Sequence, residues 1–267
     1  FFLYYASPIP HVALQAKEKW VNYYLEKFGD EPPYTGNKGY FPNRYPHASY
    51  AAMISTLDEQ VGEIIAKLKK LNIEDNTIII FTSDNGPSYA GGADPEWFDS
   101  AKPFKSSYGW AKGFLKEGGI RVPMVVKWPR QINPGTKSDV ISCFQDMLPT
   151  FLDITNTTPT VVTDGKSLLP ALKGSNEQIH PYLYWEFPEY GGQQAVRMGP
   201  WKIYRANINN EKKPLSLELF NLENDPQELH DVSAEYPQIL DSLLQIMAKE
   251  HTVSPLDRFH LKKLGDK

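Results

Sequence analysis

The chain has 267 residues, 41% hydrophobic and 22% charged, a composition that fits one or two globular domains and excludes disorder. With 28 Lys and Arg against 32 Asp and Glu and no dense basic run, binding to nucleic acid by phosphate neutralisation is excluded. Apolar runs such as Ile78 to Phe81 are far too short for a membrane span, and one cysteine, Cys143, allows neither a disulfide framework nor a multi-cysteine zinc site.

Phe1 to Ala6 read as a buried strand, closed by Ser7-Pro8-Ile9-Pro10, which cannot continue a ladder. A chain that opens on such a strand, without Met or a charged leader, reads as a fragment of something longer. Residues 12–46 are rich in Pro, Gly, Tyr and Asn and read as a surface excursion with one short helix near Lys17 to Phe28. The clearest helix follows. Tyr50, Ile54, Leu57, Val61, Ile64, Ile65, Leu68 and Leu71 recur at spacings of three and four and predict an apolar stripe. Thr77 to Phe81 is apolar on both faces, the pattern of a central parallel strand. After Thr82-Ser83-Asp84-Asn85-Gly86-Pro87 comes a loop of about thirty residues carrying Trp97, Phe98, Tyr108 and Trp110, a length that usually serves function.

Beyond Glu117-Gly118-Gly119-Ile120-Arg121-Val122-Pro123 the pattern predicts a second apolar strand to Val126 and a helix over Asp146 to Ile154. From about residue 174 the texture changes to strands at Tyr182–Phe187, Gln194–Met198, Trp201–Tyr204 and Leu217–Leu222, then a helix at Tyr236–Lys249. The fold class is therefore α/β: a mostly parallel sheet flanked by helices over 1–173, and a small subdomain over 174–267 with an antiparallel sheet and one helix.

In open α/β sheets, ligands bind beyond the carboxyl ends of the strands. His11, Asp84-Asn85 and Lys112 stand at such places. A carboxylate beside an amide offers hard oxygens for Ca²⁺ or Mg²⁺, and His and Lys offer donors for an anion. Each also has a plain reading: Asp-Asn-Gly is a turn signal, His11 a surface side chain, Lys112 a solvated lysine. Glu117 and Arg121 read as a structural ion pair across the Gly-Gly turn, and His47 as a helix cap or surface residue.

Taken together, several segments closely resemble the type I sulfatases of the alkaline phosphatase superfamily. They are Phe1 to Ser7 with His11, Tyr50 to Gly62, Asn76 to Pro87, Lys112 to Pro123, and Leu219-Phe220-Asn221-Leu222-Glu223-Asn224-Asp225-Pro226. The resemblance runs along nearly the whole chain in order. It implies that Asp84 and Asn85 are two calcium ligands and that His11 and Lys112 bind the sulfate group as catalytic residues. Lys112 is the match because it stands five residues before the Glu of Glu-Gly-Gly; Lys116 is expected to face solvent.

The family's Cys/Ser-x-Pro-x-Arg motif, source of its formylglycine, does not occur here, nor does the aspartate pair that completes the calcium site. The expectation is the C-terminal half of a sulfatase, inactive alone, whose partner is the upstream half bearing the formylglycine and the remaining calcium ligands. Cys143, in Ser142-Cys143-Phe144-Gln145-Asp146, is then a buried structural thiol. Trp97, Phe98, Tyr108, Trp110, Tyr190, Gln194 and Arg197 could line a pocket for a sulfated saccharide or other sulfated small molecule, since aromatic faces and planar donors suit sugars and anions; the same aromatics could simply pack a domain interface. Two alternatives stand beside sulfate-ester hydrolysis: a phosphate or phosphonate ester hydrolase of the same superfamily, and a non-catalytic module holding anionic glycans through His11, Lys112 and Arg197. The resemblance also implies a periplasmic or secreted address.

Overall fold

The computed structural model describes residues 1–266. They form two compact units, one of residues 1–76, 83–112 and 117–122, the other of 77–82, 113–116 and 123–266.

The first unit is built on two helices, α1 (Glu18–Phe28) and α2 (Pro46–Lys70). Helix α1 ends at Gly29, whose φ of +79° suits glycine and whose N–H donates to Leu25 O at 2.9 Å. Lys17 and Lys19 grip Glu59 of α2 at 2.7 and 2.5 Å and hold its carboxyl down at about 2. Helix α2 begins with Pro at its first position, but its cap is borrowed. The Glu31 carboxylate, fifteen residues upstream of Pro46, accepts from His47 N at 2.8 Å and Ala48 N at 2.9 Å.

The stripe predicted for α2 is only partly covered. Its buried face holds Ala48, Ala51, Ala52, Met53, Thr56 and Leu68, while Ile54 is 43% exposed. Small side chains let the incoming chain lie close, so that Val12 and Leu14 pack with Met53 and Ala93 in one apolar cluster. Residues 1–6 form no strand and are exposed, with Phe1 at 85% and Tyr4 at 82%. A run apolar on both faces becomes a buried strand only between neighbours, and among the described residues no ladder includes these.

In the second unit, β1 (Ile79–Thr82) pairs with β2 (Met124–Lys127), Ile80 opposite Val126. This ladder is antiparallel and two-stranded, which corrects the expected parallel sheet. Apolar side chains on both faces tell that neither face is meant for water; they do not fix the direction of the neighbour, which the connecting chain decides. Between them in sequence, Glu117–Ile120 form a single helical turn, α3, belonging to the first unit. Helices α4 (Met147–Ile154) and α5 (Leu169–Leu172) precede the meander β3 (Leu183–Phe187), β4 (Gln193–Met198), β5 (Trp201–Ala206) and β6 (Ser216–Asn221), all antiparallel neighbours. Helix α6 (Pro237–Glu250) lays Leu243 and Met247 against Val196, Ile203 and Leu219. The antiparallel sheet with one helix is as the sequence predicts. Lys202 and Glu228 form a 3.0 Å ion pair with both side chains at 0% exposure.

Candidate functional site

Asp84, Asn85 and Lys112 meet at a junction of backbone in the first unit. Lys112 N donates to Pro87 O at 3.0 Å, and Gly86 N to Gly119 O at 2.9 Å, so the 84–87 loop is bonded to the residues on both sides of Glu117. Two glycines make this possible. A Cβ on Gly86 would stand 1.9 Å from Gly118 O, and a Cβ on Gly118 would stand 2.0 Å from Lys105 O. Three backbone segments thus touch with no room for a side chain. The Gly of Asp-Asn-Gly serves close approach rather than a left-handed turn.

Two charged side chains at this junction, Asp84 and Lys112, are uncommitted among the described residues. Asp84 is exposed, and among the described residues its carboxylate and the Lys112 ammonium make no hydrogen bond or ion pair. Asn85 Nδ2 donates to Gly86 O at 2.9 Å, and its Oδ1 accepts no hydrogen bond among the described residues. A carboxylate and an amide oxygen fit a hard cation such as calcium, as two of its six to eight oxygens. The neighbouring Glu117 is buried and pairs with Arg121 at 3.3 Å, as expected.

His11 is anchored through its neighbour. Val12 packs so tightly on Gly91 that a Cβ there would stand 2.6 Å from Val12 Cγ1. The His11 ring lies edge-on to Tyr40 at 5.9 Å, and Nδ1 donates to Val12 O at 2.5 Å, which leaves Nε2 open to a ligand. No hydrogen bond joins it to Asp84, Asn85 or Lys112. Trp110 is half-buried, with Lys105 Nζ 3.9 Å from the centre of its ring.

In the second unit, Gln194 is buried and fully engaged. Its amide donates to Tyr184 Oη at 2.8 Å and Glu186 Oε1 at 3.0 Å, and accepts from Arg205 at 2.9 Å. Glu186 also holds His251, whose Nε2 reaches Asp266 at 2.8 Å. Arg197 is half-buried on β4, its Nε 3.4 Å from Gly199 O. Lys116 overturns its expectation. Instead of facing solvent it is 4% exposed, paired with Glu218 at 2.8 Å and set 4.0 Å from the centre of the Phe220 ring. Burial lowers its pKa, against the pull of Glu218. Period alone could not show this, because Gly113, with φ of +91°, turns the chain between the two lysines.

Two further groups were not legible from spacing. His47 is no free surface residue: it bridges Glu31 at 3.0 Å and Asp94 at 2.9 Å and stacks on Trp97 at 4.2 Å. Cys143 is half-buried, and its thiol donates to Asp146, which also pairs with His180 at 2.8 Å. Burial first, then the Asp146 charge, pushes the thiol up to about 11. A thiol so held, without the flanking Pro and Arg, does not fit a formylglycine precursor.

The chain is similar to known proteins along most of its length. A sulfatase family model matches residues 1–157, and a model of the N-sulphoglucosamine sulphohydrolase C-terminal region matches 106–252. An N-acetylglucosamine-6-O-sulfatase of Bacteroides thetaiotaomicron is 29% identical over 74% of this chain and 34% of its own length. The structure of Ps i-CgsB in complex with k-i-k-neocarrahexaose is 31% identical with a TM-score of 0.70, covering 90% of this chain and 48% of that one. A phosphonate monoester hydrolase of Agrobacterium radiobacter is 25% identical with a TM-score of 0.57, covering 76% and 41%. The chain spans about half the length of the curated relatives it matches, from 34% to 61%.

Proposed function

Because the chain belongs to the sulfatase family, we propose that it contributes the sulfate-binding lysine and part of the calcium shell to an enzyme that hydrolyses sulfate esters. One observation carries this reading: Asp84, Asn85 and Lys112 stand on loops locked together by Lys112 N–Pro87 O and Gly86 N–Gly119 O, with the Asp84 carboxylate, Asn85 Oδ1 and the Lys112 ammonium uncommitted among the described residues. Fixed backbone and free functional groups are what preorganised electrostatic stabilisation needs.

In this reading Asp84 and Asn85 Oδ1 would hold calcium, which would supply positive charge to the sulfate oxygens. Lys112 Nζ binds a sulfate oxygen and stabilises charge as the S–O bond breaks. His11, with Nδ1 tied to Val12 O, gives a proton from Nε2 to the departing oxygen. No formylglycine precursor motif occurs among the 267 residues, and the chain alone is proposed to be inactive. The proposed substrate class is a sulfated saccharide, supported by the sugar sulfatase among the relatives. Trp110, Arg197 and Gln194 are proposed sugar contacts, Gln194 only by exchanging one of its present bonds. Residues 1–173 are proposed as catalytic domain and 174–267 as the C-terminal subdomain.

The test uses the full-length protein that contains this chain and a sulfated sugar. Lys112→Ala should lower kcat about a hundredfold or more, the loss expected for one electrostatic donor. Asp84→Ala should lower calcium content and activity together; full calcium with the variant would refute the ligand assignment. The phosphonate hydrolase likeness supports a second reading, and a higher kcat/KM for a phosphonate monoester than for the sulfate ester would establish it instead.

A further inference from the structure

Cys143, Asp146 and His180 lie in the second unit, on the turn before α4, at the start of α4 and on the segment before β3. Their ligand atoms all lie within 4.8 Å of one another. Asp146 is 0% exposed, and its carboxylate accepts from Cys143 N at 2.8 Å, Lys166 N at 2.8 Å, Cys143 Sγ at 3.6 Å and His180 Nε2 at 2.8 Å. Among these partners only the imidazole can carry a positive charge. A buried carboxylate without a permanent cation is costly, and here a thiol and an imidazole both aim at it.

We infer that Cys143, Asp146 and His180 form a zinc site, with one position left for water. Thiolate sulfur, imidazole nitrogen and carboxylate oxygen are the donor set of Zn²⁺ and poor company for Ca²⁺ or Mg²⁺. On binding, Cys143 loses its proton to water and bonds through sulfur, His180 bonds as neutral imidazole, and Asp146 through one oxygen. One dication replaces the hydrogen bonds from thiol and ring. The backbone bonds from Cys143 N and Lys166 N remain to orient the carboxylate, as metal-bound carboxylates require. The frame is already closed: a Cβ on Gly165 would stand 1.9 Å from Gln145 O, so the 165–166 loop sits directly on the turn that carries Cys143 and Asp146. Zinc there would tie the start of α4, this loop and the approach to β3 into one clamp, independently of any calcium at Asp84 and Asn85.

The experiment is a titration of the chelator-treated 267-residue chain with Co²⁺. Its single cysteine makes the reading unambiguous, because a thiolate-to-cobalt charge-transfer band in the near ultraviolet can come only from Cys143. The expected results are that band, its displacement by Zn²⁺ and not by Ca²⁺, its loss in Cys143→Ser, and about tenfold or greater weakening of Co²⁺ binding in His180→Gln. No band in the wild-type chain at saturating Co²⁺ would overturn the proposal without reliance on any variant's folding. So would displacement by Ca²⁺, or undiminished affinity in a folded His180→Gln protein.

Discussion

In the first unit, Asp84 and Lys112 stand on loops fixed by main-chain bonds while their own charges stay uncommitted among the described residues. In the second unit, Lys202 of β5 and Glu228 are sealed together at 0% exposure, and Lys116 is spent on Glu218 and the face of Phe220 in β6. Lys112 and Lys116 are four residues apart, yet the ammonium of one makes no hydrogen bond or ion pair among the described residues and the other supports the sheet. A charge satisfied within the fold contributes to structure; a charge left open on a rigid frame is available for binding chemistry. The type of residue does not separate the two roles. Its surroundings do.

Breaking the sealed pair should cost most. Lys202→Ala leaves Glu228 buried without its ammonium and should destabilise the chain by about 3–5 kcal/mol in urea unfolding. The double change Lys202→Met with Glu228→Gln should recover most of that, since it removes both charges. Lys116→Ala comes next, at about 2–4 kcal/mol, less because Glu218 keeps 34% exposure of its side chain. A neutral result there would mean that Lys116 belongs with the open charges after all.

Gly86→Ala tests the frame of the junction. The added methyl would sit 1.9 Å from Gly118 O, so the backbone must move, at about 1–3 kcal/mol, and calcium binding should fall with it. Smaller, and dependent on pH, is the contribution of His251. Burial lowers its pKa, but the bonds to Glu186 and Asp266 outweigh burial and the net shift is upward from 6.5. A raised folded pKa gives stability that is complete below about pH 6.5 and lost as pH rises through the folded value. The Tm difference between wild type and His251→Gln should therefore narrow from acid to alkaline pH; a constant difference would assign His251 to packing alone. Lys112→Ala should change stability least, by under about 0.5 kcal/mol, while removing the proposed sulfate contact. A large loss of stability would show that its charge is structural.

Helix α2, the four strands of the meander and α6 were legible because period 3.6 and period 2 are local properties that survive any tertiary arrangement. The motifs around Asp84 and Lys112 were legible too, as residue types at fixed spacing. Other features depended on residues distant in sequence. Glu31 caps a helix that starts fifteen residues later, and His180 reaches Asp146 across 34 positions. Neither leaves a trace in local composition. The antiparallel direction of β2 beside β1 was likewise hidden, since apolar side chains record burial and not the polarity of a neighbour.

The sequence by itself determined the long helix α2, the meander strands and α6, though not the fate of residues 1–6, and it determined which side chains bring charge, sulfur and imidazole to the fold. Only the tertiary structure decided which of those groups are consumed. Hydrophobic period is written every two to four residues, whereas the fate of a charge depends on what the folded chain sets within about 3 Å of it. Lys116 is paired with Glu218, whereas the Lys112 ammonium has no hydrogen bond or ion pair among the described residues, and the two differ on that scale alone.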